Sequence, residues 1–149
     1  MKQIHNIAIS VFIKEEDNKE QLEQSFLKLI PLDLNKEKLK PTKTEVTGLS
    51  ENKIKIIELK LIKEKHTKLF IEHLRTNLDK ESINQLLEQK ESRLDNDLCF
   101  FLRLDKEALL NDKYQLTDDG NCFHIKILIA AFPKKRDAAL ETVNSLFKQ

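Results

Sequence analysis

Residues 99–147 constrain the fold of this 149-residue chain most strongly. Residues 99–104 and 122–129 each alternate bulky apolar side chains with other residues, which is the two-residue period of a strand with one buried face. Between them, Asp105 can cap a short helix over residues 106–110. A longer amphipathic helix follows the second strand. The stretch therefore predicts two strands of a sheet and a helix packed on it, with the apolar positions Phe123, Ile125, Ile127, Ile129, Ala139, Val143, Leu146 and Phe147.

Three further strands are predicted in the first half of the chain. Residues 4–13 alternate β-branched and small or polar side chains, so we expect a strand with one dry face. Residues 44–49 and 54–62 flank a turn-forming segment and predict a hairpin. The apolar pattern changes phase between Ile56 and Ile57, which indicates either a β-bulge or burial on both faces of that strand.

Helices are predicted between these strands. Asp17 is a favourable N-cap for a first helix that Pro31 ends. Residues 65–78 carry apolar side chains four apart, which favours a second helix. Either Asp79 or Ser82 can cap a third helix. The apolar stripe of the first helix consists of Leu22, Phe26, Leu29 and Ile30.

The element order predicts an α+β fold in a single domain over residues 1–149. We count about six strands and four or five helices without regular β-α-β alternation. This order favours a two-layer arrangement in which helices cover one face of a mostly antiparallel sheet. The uncovered face is either solvated or a binding platform, and we expect it to carry Asn6, Ser10, His124 and Lys126.

The distribution of charge is more informative than the formal net charge of +1. Residues 36–68 have an excess of Lys over Glu, whereas residues 79–97 have an excess of acidic side chains. A field divided in this way can orient a polyanion. Within the first region, residues 36–43 form either a basic arm that reaches for phosphates or a solubilising loop, and its candidate contacts are Lys40 and Lys43.

A second cluster of cations follows Pro133. Proline is preferred in the first turn of a helix, so we expect Lys134, Lys135 and Arg136 where backbone N–H groups are unpaired and the helix dipole is positive. A bound phosphate would stabilise this arrangement. The alternative is three solvated side chains that Asp137 partly compensates. The sequence leaves both interpretations open.

Cysteine, histidine and apolar patterns limit the other classes of site. Cys99 and Cys122 lie in separate strand patterns and do not form a C-x-x-C pair, so they are either buried thiols or a bridge between neighbouring strands. His66 and His73 are two helical turns apart, which favours surface histidines over a metal site. We expect no cofactor and no metal. No apolar run approaches the roughly 20 residues that cross a bilayer, so a cytoplasmic protein without membrane contact is expected.

Four segments resemble an archaeal family of small proteins described as predicted RNA-binding proteins or predicted exosome subunits. They are residues 101–106, 116–119, 123–127 and 132–136. The resemblance extends over nearly the whole chain, because the first strand, the hairpin and the middle helices occur in the expected order. It implies a fold like that of the ribosomal protein that binds 5S ribosomal RNA, and partners among RNA and exosome or ribosome-related proteins.

The leading functional hypothesis is an RNA-binding protein without catalytic activity. Its phosphate contacts would come from the cluster after Pro133 and from the sheet and the basic arm. With no Trp and one Tyr, and with most Phe at core-type positions, we expect weak sequence preference and recognition of a structured RNA by its shape. The candidate RNA-binding residues are Lys134, Lys135, Arg136, Lys126, Arg103, Lys40 and Lys43.

Two other hypotheses remain. A protein-interaction adaptor for an RNA-processing assembly would use the acidic residues 79–97 or the free sheet face. An enzyme would use acidic side chains to bind Mg²⁺ for phosphodiester cleavage, but these side chains lie in caps and turns, where Asp is preferred anyway. We therefore expect no enzymatic activity. The sequence leaves both a monomer and a homodimer open. The acidic residues considered are Asp105, Glu107, Asp112, Asp118 and Asp119.

Overall fold

A computed structural model describes residues 2–148 and contains five strands and six helices within that range. The strands are β1 (Ile4–Ile13), β2 (Thr42–Thr47), β3 (Lys53–Leu61), β4 (Cys99–Asp105) and β5 (Cys122–Ile129). The helices are α1 (Lys19–Leu29), α2 (Glu64–Asn77), α3 (Lys80–Glu88), α4 (Lys90–Arg93), α5 (Lys106–Leu110) and α6 (Arg136–Phe147). The strands form one sheet in the order β2-β3-β1-β5-β4. Every neighbouring pair is antiparallel, so the α+β class predicted from the sequence is confirmed.

The expected number of elements was slightly wrong. Leu116 forms an isolated bridge to Leu104 and does not extend into a sixth strand. The segment Lys90–Arg93 adds one short helix. Both segments are too short for a periodic apolar pattern, which explains why the sequence did not resolve them.

The central strand β1 organises the core. Ile7 is paired with Leu61 of β3 on one side and with Ile127 of β5 on the other. Alternate β1 side chains are fully buried beneath the helices, as their two-residue period predicts. Because β1 and β5 come from opposite ends of the chain, the sheet forms only when both ends are in place.

The helical layer packs large apolar side chains against one face of the sheet. Phe26 of α1, Phe70 of α2 and Phe147 of α6 are almost completely buried. Phe147 contacts Phe100 of β4, with ring centroids 5.8 Å apart. The longest helix, α2, has 14 residues, and no helix among residues 2–148 is long and apolar enough to cross a membrane.

The β2–β3 hairpin resolves the change of phase in the sequence. The register is unbroken along β3, so Ile57 points to the helices and Ile56 to the other face. Ile57 is buried and Ile56 is half-buried, and burial on both faces is therefore the correct alternative. Strand β2 lies at the edge of the sheet and is exposed along its whole length.

The caps of two helices show how local hydrogen bonding sets their ends. The expected cap at Asp17 is wrong, because the side chain of Asn18 accepts the hydrogen bond from Gln21 N. Asp17 instead accepts a hydrogen bond from Lys14 N and contacts Lys106. Of the two candidates for α3, Asp79 is the N-cap.

Candidate nucleic-acid interface

The face of the sheet opposite the helices presents a surface that we call the open face. Over strands β1, β5 and β4 it carries half-buried Ser10 and His124 together with exposed Lys126. The prediction that Asn6, Ser10, His124 and Lys126 share this face is confirmed by the register. The open face consists of Asn6, Ala8, Ser10, Phe12, Cys99, Phe101, Arg103, Asp105, Cys122, His124, Lys126 and Leu128.

The register brings two predicted cations together on the open face. Lys126 is opposite Phe101 of β4, and Arg103 is opposite His124, two residues along the same pair of strands. Neighbouring strands are about 4.8 Å apart, so residues in this diagonal relation have side chains within reach of each other. Lys126 and Arg103 therefore lie next to each other in space although they are far apart in sequence.

The contacts of these cations leave both accessible to a ligand. The Lys126 ammonium group lies 5.8 Å from the centroid of the Phe101 ring, a cation–π arrangement. Arg103 is half-buried and donates one hydrogen bond to the carbonyl oxygen of Asp118 at 3.0 Å. A guanidinium group has five N–H donors, so this bond orients the group and leaves donor capacity.

Two phenylalanines on the open face were missed by reasoning from the sequence. Phe12 and Phe101 remain 43% and 39% exposed, whereas most Phe residues were expected in the core. Their positions in the strand alternation give the signal, because Phe12 shares the phase of Ser10, and Phe101 that of Arg103. An aromatic ring in the polar phase of a strand indicates a surface position.

A histidine extends the aromatic surface beside Phe12. The rings of Phe12 and His124 have centroids 5.7 Å apart and are tilted by 43°. Burial lowers the pKa of His124, and the positive charges of Arg103 and Lys106 lower it further. His124 is therefore neutral near pH 7 and offers an uncharged ring.

The two cysteines are separate buried thiols. Cys99 is opposite Leu128 at one end of the β4–β5 pair, and Cys122 is opposite Asp105 at the other. Both thiols are free, which answers the question that the sequence left open. Burial raises the pKa of both thiols, so both are poor nucleophiles at neutral pH.

The cluster after Pro133 differs from its predicted geometry. Helix α6 begins at Arg136 with Lys135 as its N-cap, so the expectation that Pro133 occupies the first helical turn is wrong. Lys135 has an extended backbone and its N–H group bonds to the Pro133 carbonyl oxygen, which delays the start of the helix. Of the three cations, only Arg136 lies within the helix.

Lys134 and Arg136 contact different parts of the protein. Lys134 is exposed and borders a cavity of about 170 Å³ together with Leu128 of the open face and Phe132. The guanidinium group of Arg136 donates to the carbonyl oxygen of Leu94 at 2.9 Å and to that of Glu91. Arg136 thus anchors α6 to the end of α4, whereas Lys134 adjoins the Lys126 end of the open face.

Lys40 and Lys43 lie apart from the other candidates. Lys43 of the edge strand β2 is opposite Ile57 and thus on the helical side of the sheet. Its ammonium group is 3.5 Å from a carboxylate oxygen of Glu23. Lys40 and Lys43 border a cavity of about 470 Å³ beside Leu27. The structure therefore separates these two lysines from Lys126 and Arg103.

The sequence predicted that the two histidines of α2 lie on the surface, and this prediction is wrong. His66 is 1% exposed, with its Nε2 atom 3.3 Å from Oε1 of Glu37. His73 is half-buried and its Nε2 atom is 2.6 Å from the Tyr114 hydroxyl oxygen. Burial lowers the pKa of His73, and burial with the charge of Asp112 raises the pKa of Tyr114 to about 12. Within residues 2–148 no three His, Cys, Asp or Glu side chains converge where they could hold a metal ion.

Comparisons with known sequences identify related proteins over most of the chain. The model of a family described as RNA binding matches residues 6–130. This segment contains the open face and ends before Lys134. The "RNA-binding protein PAB1135" of Pyrococcus abyssi is 26% identical over 141 residues, which cover 95% of this chain and 92% of that protein.

Solved structures of archaeal proteins share the fold. Protein AF2318 from Archaeoglobus fulgidus has a TM-score of 0.85 at 21% identity, and the match covers 96% of this chain and 99% of that one. Mth689, a DUF54 protein from Methanothermobacter thermautotrophicus, has a TM-score of 0.79 at 23% identity, with 99% and 100% covered. The arrangement of one five-stranded sheet and its helices is therefore shared with these proteins.

Proposed function

Because the chain belongs to the RNA-binding family whose model matches residues 6–130, we propose that it binds RNA with the open face of its sheet. The observation that carries this proposal is the position of Lys126 and Arg103 beside the exposed ring of Phe101. Cations hold phosphate groups, and an accessible sheet surface offers them a common plane. RNA contact through this face requires no movement of the helical layer.

The charge of the open face suits a polyanion. Among the described residues, strands β1, β5 and β4 place one carboxylate on this face, that of Asp105. Asp105 accepts a hydrogen bond from Ala108 N at 2.9 Å and is held in the cap of α5. Beside Arg103, the exposed carboxylate of Asp118 lies 4.0 Å from the guanidinium group of Arg93, and this pair adds no net charge. Lys126 and Arg103 therefore set the sign of the local potential. The neighbouring strand β3 adds one charge of each sign, Glu58 and Lys60.

The other candidate cations differ in how directly each would contact RNA. Lys134 continues the basic surface beyond the end of β5, and exposed Lys135 follows it. Arg136 holds α6 against α4 and contributes mainly by fixing this segment. Lys40 and Lys43 lie at the β2 edge and contact RNA only when a longer molecule extends around that edge.

Charge reversal with a matched control tests the proposal. We expect Lys126→Glu/Arg103→Glu to weaken filter binding of total cellular RNA and to reduce the slope of log affinity against log salt by about 1 per lost phosphate contact. Lys40→Glu/Lys43→Glu changes the net charge equally at the distant edge. Affinity that is unchanged in the first variant, or reduced equally in both, would contradict an interface on the open face.

We also propose that the protein does not cleave RNA. Its candidate acidic side chains serve the local backbone: Asp105 caps α5 and Asp119 accepts a hydrogen bond from Asn121 N. RNA incubated with the protein and Mg²⁺ should stay intact. Cleavage that depends on Mg²⁺ and disappears in Asp118→Asn/Asp119→Asn would overturn this expectation.

An acidic surface supports an adaptor as the second candidate function. Helices α3 and α4 expose Glu81, Glu88 and Glu91, and a cavity of about 610 Å³ lies between α3 and the segment around Tyr114. An exosome or ribosome-related protein in the cytoplasm would be the partner of this surface. Partners captured from lysate that persist after nuclease treatment support the adaptor, and their loss supports direct RNA contact.

A further inference from the structure

We propose that the open face binds unpaired nucleotides by stacking their bases on Phe101 and Phe12. This inference rests on the proposed function and names the class of RNA that the site takes. It differs from the shape recognition of structured RNA that the sequence alone favoured. A base in a duplex has both faces covered by its neighbours, so stacking on a protein ring selects single-stranded RNA, loops or bulges.

The rings of Phe101 and Phe12 are both exposed to solvent. Phe101 and Phe12 are 39% and 43% exposed although each lies in the middle or near the end of a strand flanked by buried residues. Exposed aromatic rings on a sheet lose the stabilisation that burial provides. A base that stacks on such a ring restores that contact, whereas water does not.

The two rings lie far enough apart to contact different nucleotides. Phe101 is aligned with Ala8 across Lys126, and Phe12 follows four residues after Ala8. Two strand spacings of about 4.8 Å and four residues of about 3.3 Å separate the rings by roughly 10 Å across the sheet and 13 Å along it. Each ring can therefore receive a different nucleotide of one strand. The neutral ring of His124 enlarges the surface at Phe12.

Two cations lie between and beside the rings. Lys126 lies over the Phe101 ring, and Arg103 occupies the adjacent row. When a base takes the place above Phe101, the flexible Lys126 side chain can turn to the phosphate of the same nucleotide. Alternation of rings and cations is what a single strand requires, because its bases and its backbone alternate along its length. A protein partner with an apolar surface would leave these charges unpaired.

The first experiment compares three probes with the purified protein at one salt concentration. They are a single-stranded oligouridylate, a duplex RNA of the same length and an oligonucleotide of that length without bases. We expect the oligouridylate to bind most tightly. Phe101→Ala should weaken its affinity by about 5- to 150-fold, which is the usual effect of losing one stacked base. Phe12→Ala should have a smaller or similar effect, and neither variant should change the affinity for the probe without bases.

Leu27→Ala is the matched control for loss of an exposed apolar side chain. Leu27 is similarly exposed, but it lies on α1 in the helical layer. The affinity of Leu27→Ala for every probe should equal that of the parent protein. Because Phe101→Ala and Phe12→Ala remove no charge, the dependence of affinity on salt should also remain unchanged.

A single tryptophan gives an independent measurement. The chain contains no Trp, so Phe101→Trp places the sole indole on the open face, and Leu27→Trp places one on the helical layer. Stacking of a base quenches indole emission. Oligouridylate should quench Phe101→Trp with the same affinity that filter binding reports, and it should leave Leu27→Trp unchanged.

The outcomes separate this inference from the proposed function. Failure of every RNA probe to bind, or equal binding by Lys126→Glu/Arg103→Glu and the parent, would overturn both. Salt-dependent binding that is equal for all three probes and unaffected by Phe101→Ala would overturn base stacking and leave phosphate binding by the open face in place. A protein captured through Phe12 and Phe101, without loss of RNA affinity in their variants, would also overturn it.

Discussion

Lys106 is a buried cation that connects α5 to the end of the open face. It is 3% exposed, and its ammonium group donates to the carbonyl oxygen of Phe12 at 2.6 Å and to Oδ2 of Asp17 at 3.0 Å. Burial alone would raise the pKa of Asp17, but the hydrogen bonds from Lys14 N and Lys106 outweigh burial and lower the pKa. The charge of Lys106 is therefore used inside the protein and not for RNA.

Lys106→Met should lower the free energy of unfolding by about 2–3 kcal/mol at pH 7. The variant keeps the length of the side chain but leaves a carboxylate and a carbonyl oxygen without their donor, which is the costly way to break a buried pair. Urea unfolding followed by circular dichroism measures the change.

Lys113→Met provides the control, because Lys113 is exposed and such substitutions usually change stability by less than about 0.5 kcal/mol. Lys106→Met/Asp17→Asn should recover part of the loss, since the uncompensated charge is then absent. Equal stability of Lys106→Met and Lys113→Met would show that the buried contacts do not stabilise the fold.

The sequence indicated neither Lys106 nor the surface rings as special residues. A Lys in a short helix after an Asp cap is expected in solvent, and only the meeting of α5 with the end of β1 buries it. Phe12 and Phe101 show the opposite case, because Phe is usually buried and these two side chains are exposed. Their phase in the strand alternation indicates the surface, whereas their residue type favours the core.

Helix α1 shows how a single cap decides where a helix begins. Asn18→Ala should lower the free energy of unfolding by about 1 kcal/mol, because Gln21 N loses its hydrogen-bond acceptor at 3.2 Å. Asn18→Asp should retain the cap and most of the stability. Thermal unfolding of both variants beside the parent measures the difference, and equal losses in Ala and Asp variants would contradict capping by the side chain.

Strong apolar periodicity predicted most strands and helices correctly. It did not predict where the helices begin, because neighbouring residues can be equally good caps. The alternation in residues 4–13 and 122–129 gave both strands and their buried faces. Asp17 and Asn18 are both good caps, and Lys106 draws Asp17 away. Proline favours the first helical turn, yet Lys135 keeps an extended backbone and its N–H group bonds to the Pro133 carbonyl oxygen, so α6 begins three residues later, at Arg136.

The candidate site depends on long-range strand pairing. Lys126 and Arg103 become neighbours only through the β4–β5 register, and Phe12 joins them through β1. The candidate cations and the two-residue apolar alternation could be read from the sequence, but the order of the strands in the sheet could not. The same strand order separates Lys43 from Lys126 and Arg103, although all three were candidate RNA-binding residues in the sequence.

The stability of the molecule should fall as the pH decreases from about 7.5 to about 5. Burial lowers the pKa of His73 and of His124 below 6.5 in the folded state. The unfolded chain then binds more protons in this range, so protonation favours unfolding. The loss of stability begins about one pH unit above 6.5, where the imidazoles of the unfolded chain start to bind protons, and it is complete once the pH has fallen below the lowered pKa values of the folded state.

Urea unfolding at several pH values in this range tests the two histidines, which lie on opposite faces of the sheet. The slope of stability against pH should be smaller in His73→Gln and in His124→Gln, and smallest in the double variant, because independent titrations add. His5→Gln removes an exposed imidazole and serves as the matched control. If the double variant and His5→Gln had the same slope, burial of His73 and His124 would not be the source of the pH dependence, and the acid sensitivity would have to come from the carboxylates instead.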